Sequence, residues 1–287
     1  MRSELATAFR LLTFRANSEE VRTLNFRHFA LGLVFTWLVG IGRWWEDPKA
    51  NFLQHLGVGS VIYVFLLSFF LWLILWPLAP RHWSLTNVLA FVSLTSPPAI
   101  LYAIPVRHGL ELHAAQTVRL WMLAIVAGWR VALLVFYLQR IGFSGFRIVV
   151  SALFPLTLIV FTLTALNLEK VVFDFMGGIR KGDGTVNDAA YGVLMLITMF
   201  SMLLFLPLLV FYLITSVNSL FARFDRRAGH VIYGIAIVCG LVGLILNLYG
   251  LVTLGLFLCG TGVVLVVNTV IKMNAKSRAE IKENERC

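Results

Sequence analysis

The chain has 287 residues, 59% of them apolar and only 13% charged, with a formal net charge of +10. Gly57–Ala79 and Ala189–Ala222 contain no charge at all. Each can cross a hydrocarbon core of ~30 Å as a helix, which excludes a soluble globular protein.

Backbone groups inside lipid must be satisfied within the segment, so these runs are read as helices. They are too continuous for the alternating strands of a membrane barrel. The expected fold is therefore all-α, a polytopic transmembrane bundle of about eight spans. The spans are Phe29–Trp45, Gly57–Leu78, Asn87–Val106, Thr117–Leu138, Phe146–Leu166, Ala190–Ser216, His230–Tyr249 and Leu251–Ile271. Three regions follow: 1–28, a cytoplasmic basic interfacial segment; 29–271, the transmembrane domain; and 272–287, a charged cytoplasmic tail.

In residues 1–28, Leu5, Phe9 and Leu12 fall on one helical face, which suits an amphipathic helix in the headgroup plane. A basic lead that only sets orientation fits equally well. The segment has no apolar core of the kind a secretory signal carries. On an eight-span path with both termini inside, sixteen Lys/Arg lie on the inner side and seven on the outer. That is the positive-inside bias. It points to a multi-pass protein of a bacterial inner membrane whose basic flanks meet anionic lipid. Charge placed in flanks in this way does not make a nucleic-acid surface.

The first span ends in Arg43, Trp44, Trp45, Glu46 and Asp47. Tryptophans beside charges suit a membrane–water boundary, here the outer one; part of an outward-facing pocket is the other reading. The third span is interrupted by Ser96, Pro97 and Pro98. Each proline removes a backbone donor and crowds the preceding turn, so the helix must bend or unwind. Broken helices carry the binding sites of many transporters, although kinks are also ordinary structure.

In the fourth span Arg130 follows Trp129 near the centre. A guanidinium at that depth costs several kcal/mol unless paired or hydrated. No acidic residue lies well inside another span, so Arg130 is expected to donate to carbonyls freed at Pro97–Pro98. A structural clamp, a contact to a ligand or lipid phosphate, and a snorkelling side chain all fit.

Residues 168–188 form a charged, glycine-containing loop without the carboxylate spacing of a calcium loop or the Gly-Lys-Ser/Thr of a phosphate loop. The last two spans are rich in glycine, which permits close helix approach. The cysteines, Cys239, Cys259 and Cys287, offer no disulfide on an outside loop. Histidines lie near span ends without metal-ligand spacing, so neither a metal nor a cofactor is expected. No nucleophile–base pair is visible.

One stretch carries a resemblance. Gly57–Val106 combines an apolar span, the turn Trp76-Pro-Leu-Ala-Pro-Arg-His-Trp-Ser84 and the interrupted Leu94-Thr-Ser-Pro-Pro-Ala99. In this it resembles the YIP-domain membrane proteins. The resemblance implies a multispanning helical protein with cytoplasmic termini. The Asp-Leu-Tyr-Gly-Pro motif of that family is absent, so its GTPase role and site residues are not carried over.

The functional expectation is a non-enzymatic scaffold, assembly or partner-binding component. The alternative is a transporter or channel for a small solute, anion or lipid, using the broken third span and Arg130. The expected partners are the lipid bilayer and another membrane protein or a second copy of the chain.

Overall fold

The computed structural model describes residues 2–45, 52–80, 83–106, 110–143, 145–165 and 188–223. All regular structure among them is helical: α1 (Arg2–Leu12), α2 (Ser18–Arg22), α3 (Phe26–Trp44), α4 (Phe52–His55), α5 (Val58–Leu75), α6 (Leu85–Leu94), a 3-10 segment (Pro97–Ala103), α7 (Leu112–Ile141), α8 (Phe146–Ala165) and α9 (Asp188–Arg223). The chain divides into two compact units, 1–205 and 206–287. Of the second, the described part is the last stretch of α9.

Five helical segments are long and apolar enough to cross a membrane: Val58–Leu75, Leu85–Ala103, Leu112–Ile141, Phe146–Thr164 and Met195–Ser216. They match the expected second to sixth spans. The expected first span is helical as α3, but Arg27, His28 and Arg43 in its end turns make it less apolar than these five. The expected spans His230–Tyr249 and Leu251–Ile271 lie outside the described residues, as do Glu46, Asp47, the loop 168–187 and the tail 272–287.

Local sequence sets most helix limits. Asn17 and Glu20 form a reciprocal capping box that starts α2, satisfying two backbone donors at once. Asn25 caps α3 and Ser84 caps α6. At its far end α7 stops where Gly142 adopts φ 114, a conformation glycine enters at low cost.

In the first unit, α3 packs on α6, on the 3-10 segment and on α5, while α7 packs on the 3-10 segment, α2 and α8. The interrupted third span is thus the central element. In it 56% of residues are buried, against 22–33% in the other four spans. Close packing of α3 on α6 depends on Gly32: a Cβ there would come within 2.7 Å of the Ser93 carbonyl carbon. The outward faces are apolar, with Phe65, Leu66 and Phe69 on α5 and Trp121 and Ile125 on α7 all exposed. An apolar exterior of this extent is a surface for a lipid bilayer.

The N-terminal segment is two helices rather than one. Phe14 turns the chain at φ 59, and an Arg10–Glu20 ion pair closes the corner. Ala8 and Leu11 are buried, whereas Leu5 and Phe9 of the expected apolar face stay exposed.

Candidate functional site

The break in the third span follows from two missing N–H groups. In an uninterrupted α-helix the carbonyls of Ser93 and Leu94 would receive the amides of residues 97 and 98, but both are proline. The chain tightens instead. Ser96 N donates to Ser93 O at 3.2 Å and Ala99 N to Ser96 O at 2.9 Å, the i to i+3 pattern of a 3-10 helix. In that pattern Thr95 O would pair with residue 98, which again has no donor. Arg130 Nε supplies one at 3.3 Å.

The opposite side of the break meets α3. Thr36 Oγ1 lies 2.6 Å from Ser96 Oγ, 2.9 Å from Gly32 O and 3.4 Å from Ser93 O. Thr36, Ser93 and Ser96 are all buried. Polar groups released by the prolines are therefore met from both neighbouring helices, as apolar surroundings require.

Beyond the break, two cations, Arg43 and Arg119, meet at the Tyr102 end of the span. Arg119 Nη1 donates to Tyr102 O at 2.8 Å. The guanidinium carbons of Arg43 and Arg119 each stand 5.5 Å from the centroid of the Tyr102 ring. Arg43 also lies 5.6 Å from the Trp44 ring. These are cation–π distances. Trp45 Nε1 donates to Ala103 O at 2.8 Å and fixes the end of the 3-10 segment to α3.

The other end of the span is held by Asn87. Its Nδ2 donates to Val21 O at 2.8 Å, to Arg22 O at 3.2 Å and to Leu24 O at 3.4 Å. Its Oδ1 accepts from the Tyr137 hydroxyl at 2.6 Å. Tyr137 is fully buried and stacks on Phe91 with ring centroids 3.9 Å apart. A cavity of about 80 Å³ lined by Arg22, Pro80, Asn87 and Ile141 adjoins this junction.

The expected site residues thus divide. Arg130, Ser96, Pro97 and Pro98 meet at the break. Trp129 does not: its Nε1 donates to Leu12 O at 3.2 Å and its ring lies 5.9 Å from Phe14, against the N-terminal helices. One step along a helix turns a side chain by about 100°, so neighbours face different partners. Trp44 is buried and Trp45 exposed. No cluster of His, Cys, Asp and Glu suited to a metal occurs among the described residues.

Tyr102, Thr36 and Asn87, which also hold this region, carry no local signal in the sequence. A signal did exist for Arg119 and Tyr137. They stand eleven residues before and seven after Arg130, intervals close to whole helical turns, so all three share one face of α7. Compared with known proteins, the chain matches no family model, no curated protein and no solved structure.

Proposed function

We propose that this protein is a non-enzymatic scaffold or partner-binding component of a bacterial inner membrane, with both termini in the cytoplasm. The observation that carries the reading is the way the broken third span is tied on every side. Thr36 holds it to α3, Arg130 and Tyr137 hold it to α7, and Asn87 holds it to the N-terminal segment. A carrier moves such an element between two discrete arrangements. Hydrogen bonds on both faces of the break favour one arrangement, which suits a platform. The basic flanks support the orientation. The resemblance of residues 57–106 to YIP-domain membrane proteins supports a multispanning helical protein with cytoplasmic termini.

Purification in mild detergent is expected to recover a membrane protein partner, or a second copy, in fixed stoichiometry. Arg130→Leu should reduce folded yield, because Thr95 O loses its donor at a cost of about 1–3 kcal/mol, and Arg130→Lys should restore part of it. Anion or solute flux in liposomes that Arg130→Ala abolishes, while the protein stays folded, would overturn this reading in favour of transport.

A further inference from the structure

We infer that the N-terminal corner, the end of α1 with the turn 13–17, is immersed among the acyl chains of one leaflet rather than laid in the headgroup plane. Its depth is set by α7. Trp129 Nε1 donates to Leu12 O at 3.2 Å, and the Phe14 ring lies 5.9 Å from Trp129 and 5.7 Å from Phe136. Trp129 stands twelve residues before the helix end at Ile141, ~18 Å along the axis. With residues 139–141 assigned to the headgroups, ~14 Å remain, close to the ~15 Å of one hydrocarbon leaflet. α5 gives the level independently. Trp83 links it to α7, since its Nε1 donates to Trp72 O at 3.1 Å and its ring lies 6.2 Å from Tyr137. Around Trp72, α5 exposes Phe69, Phe70 and Leu73, part of the apolar exterior. Phe14 lies between that level and Trp129.

The backbone of the corner is finished as a lipid environment demands. On an aqueous surface, water can meet the free carbonyls at a helix end. Here the chain itself meets all of the last four of α1. Phe9 O accepts from Thr13 N and Oγ1, Arg10 O from Arg15 N and Ala16 N, Leu11 O from Phe14 N, and Leu12 O from Trp129. The end of α2 follows suit, with Glu19 O taking Thr23 N, and Val21 O and Arg22 O taking Asn87. Non-helical backbone survives at hydrocarbon depth only when it is satisfied within the protein. The side chains agree. Ala8 and Leu11 are buried, while Phe9 is 64% exposed and Leu5 42%, so α1 offers one apolar side to the bundle and another to acyl chains. Arg10 is paired with Glu20, which lowers the cost of a charge at depth. The exposed Arg15 is long enough to reach the headgroups. Exposed Glu19 belongs to α2, whose last residue, Arg22, bonds Ile141 O at the headgroup end of α7. In the orientation proposed above this leaflet is the inner one; the depth does not depend on that orientation.

Nitroxide labels measure the depth. In the full chain with Cys239, Cys259 and Cys287 replaced by serine, Phe9→Cys and Leu66→Cys are labelled singly and placed in vesicles of phosphatidylcholine and phosphatidylglycerol. Both positions are exposed, so the labels displace no core contact; elution profile and helical content check the fold. Each label is read for access to oxygen, which concentrates in hydrocarbon, and to a water-soluble nickel chelate, which is excluded from it. A headgroup-labelled lipid in the same vesicles gives the interfacial value, and Leu66 on α5 gives the hydrocarbon value. The oxygen-to-nickel ratio at Phe9 is expected about tenfold above that of the headgroup lipid, alongside Leu66. A Phe9 ratio nearer to the headgroup lipid than to Leu66 would overturn the inference and return the segment to the membrane surface or to water. Leu5→Cys, exposed on the same helix, is a second reporter judged by the same criterion should the Phe9 variant fail to fold.

Discussion

Asn87 shows what one polar residue can do where water is scarce. Its amide reaches three carbonyls at the end of the N-terminal segment, and its oxygen takes the Tyr137 hydroxyl. A buried amide with both ends satisfied holds its neighbours in one geometry, and a partly satisfied one is costly. Tyr137→Phe should therefore destabilise the protein by about 1–2 kcal/mol, because Asn87 Oδ1 loses its donor while the stacking on Phe91 persists. Unfolding in mixed micelles measures this. A variant as stable as wild type would show that the hydroxyl holds nothing. In the sequence Asn87, a lone amide at the start of an apolar run, looks like an interfacial residue. Its partners come from positions 21–24 and 137, and no local pattern joins those stretches.

At the scale of elements, the contact between α3 and α6 is set by the absence of a side chain. A Cβ at position 32 would lie 2.8 Å from Leu94 N as well as close to the Ser93 carbonyl carbon. Those are backbone atoms, which cannot turn aside as a side chain does. Gly32→Ala is expected to cost about 1–3 kcal/mol through overpacking. Gly128, on α7, has nothing within 4 Å of the same built atom. There the substitution should gain roughly 0.5–1 kcal/mol from helix propensity. Opposite signs in thermal unfolding of the two variants would confirm the packing. Equal shifts would show that α3 and α6 are not in close contact. The element that sequence read best is the third span. Pro97 and Pro98 announce an interruption because the missing amides are a local property. What fills the interruption, Thr36 from one side and Arg130 from the other, is not local.

For the molecule as a whole, the helices that cross the membrane decide which side each end faces. If α3 crosses along with the five apolar segments, as proposed above, the crossings are even in number and residues before α3 and after α9 should share a face. In a variant with Cys239, Cys259 and Cys287 replaced by serine, cysteines introduced at Ser3 and Gly229 are expected to react with an impermeant maleimide from the same side. Labelling from opposite sides would remove α3 from the set of crossings and reverse the charge argument for everything beyond it. The concentration of Lys/Arg in the terminal flanks is what supports the proposed cytoplasmic placement of that face.

By itself the sequence determined that the regular structure of the described residues is helical, where five segments long and apolar enough to cross a membrane run, and that the third expected span is broken. These are consequences of hydropathy and of proline chemistry, both readable in a window of a few residues. Tertiary structure alone decided that the broken span is central, that Trp129 and Arg130 serve different neighbours, and that Arg43 and Arg119 meet at Tyr102. Each of those depends on which helix faces which. That choice is made by close packing and hydrogen bonding between residues far apart in the chain, such as Thr36 with Ser96 and Asn87 with Tyr137.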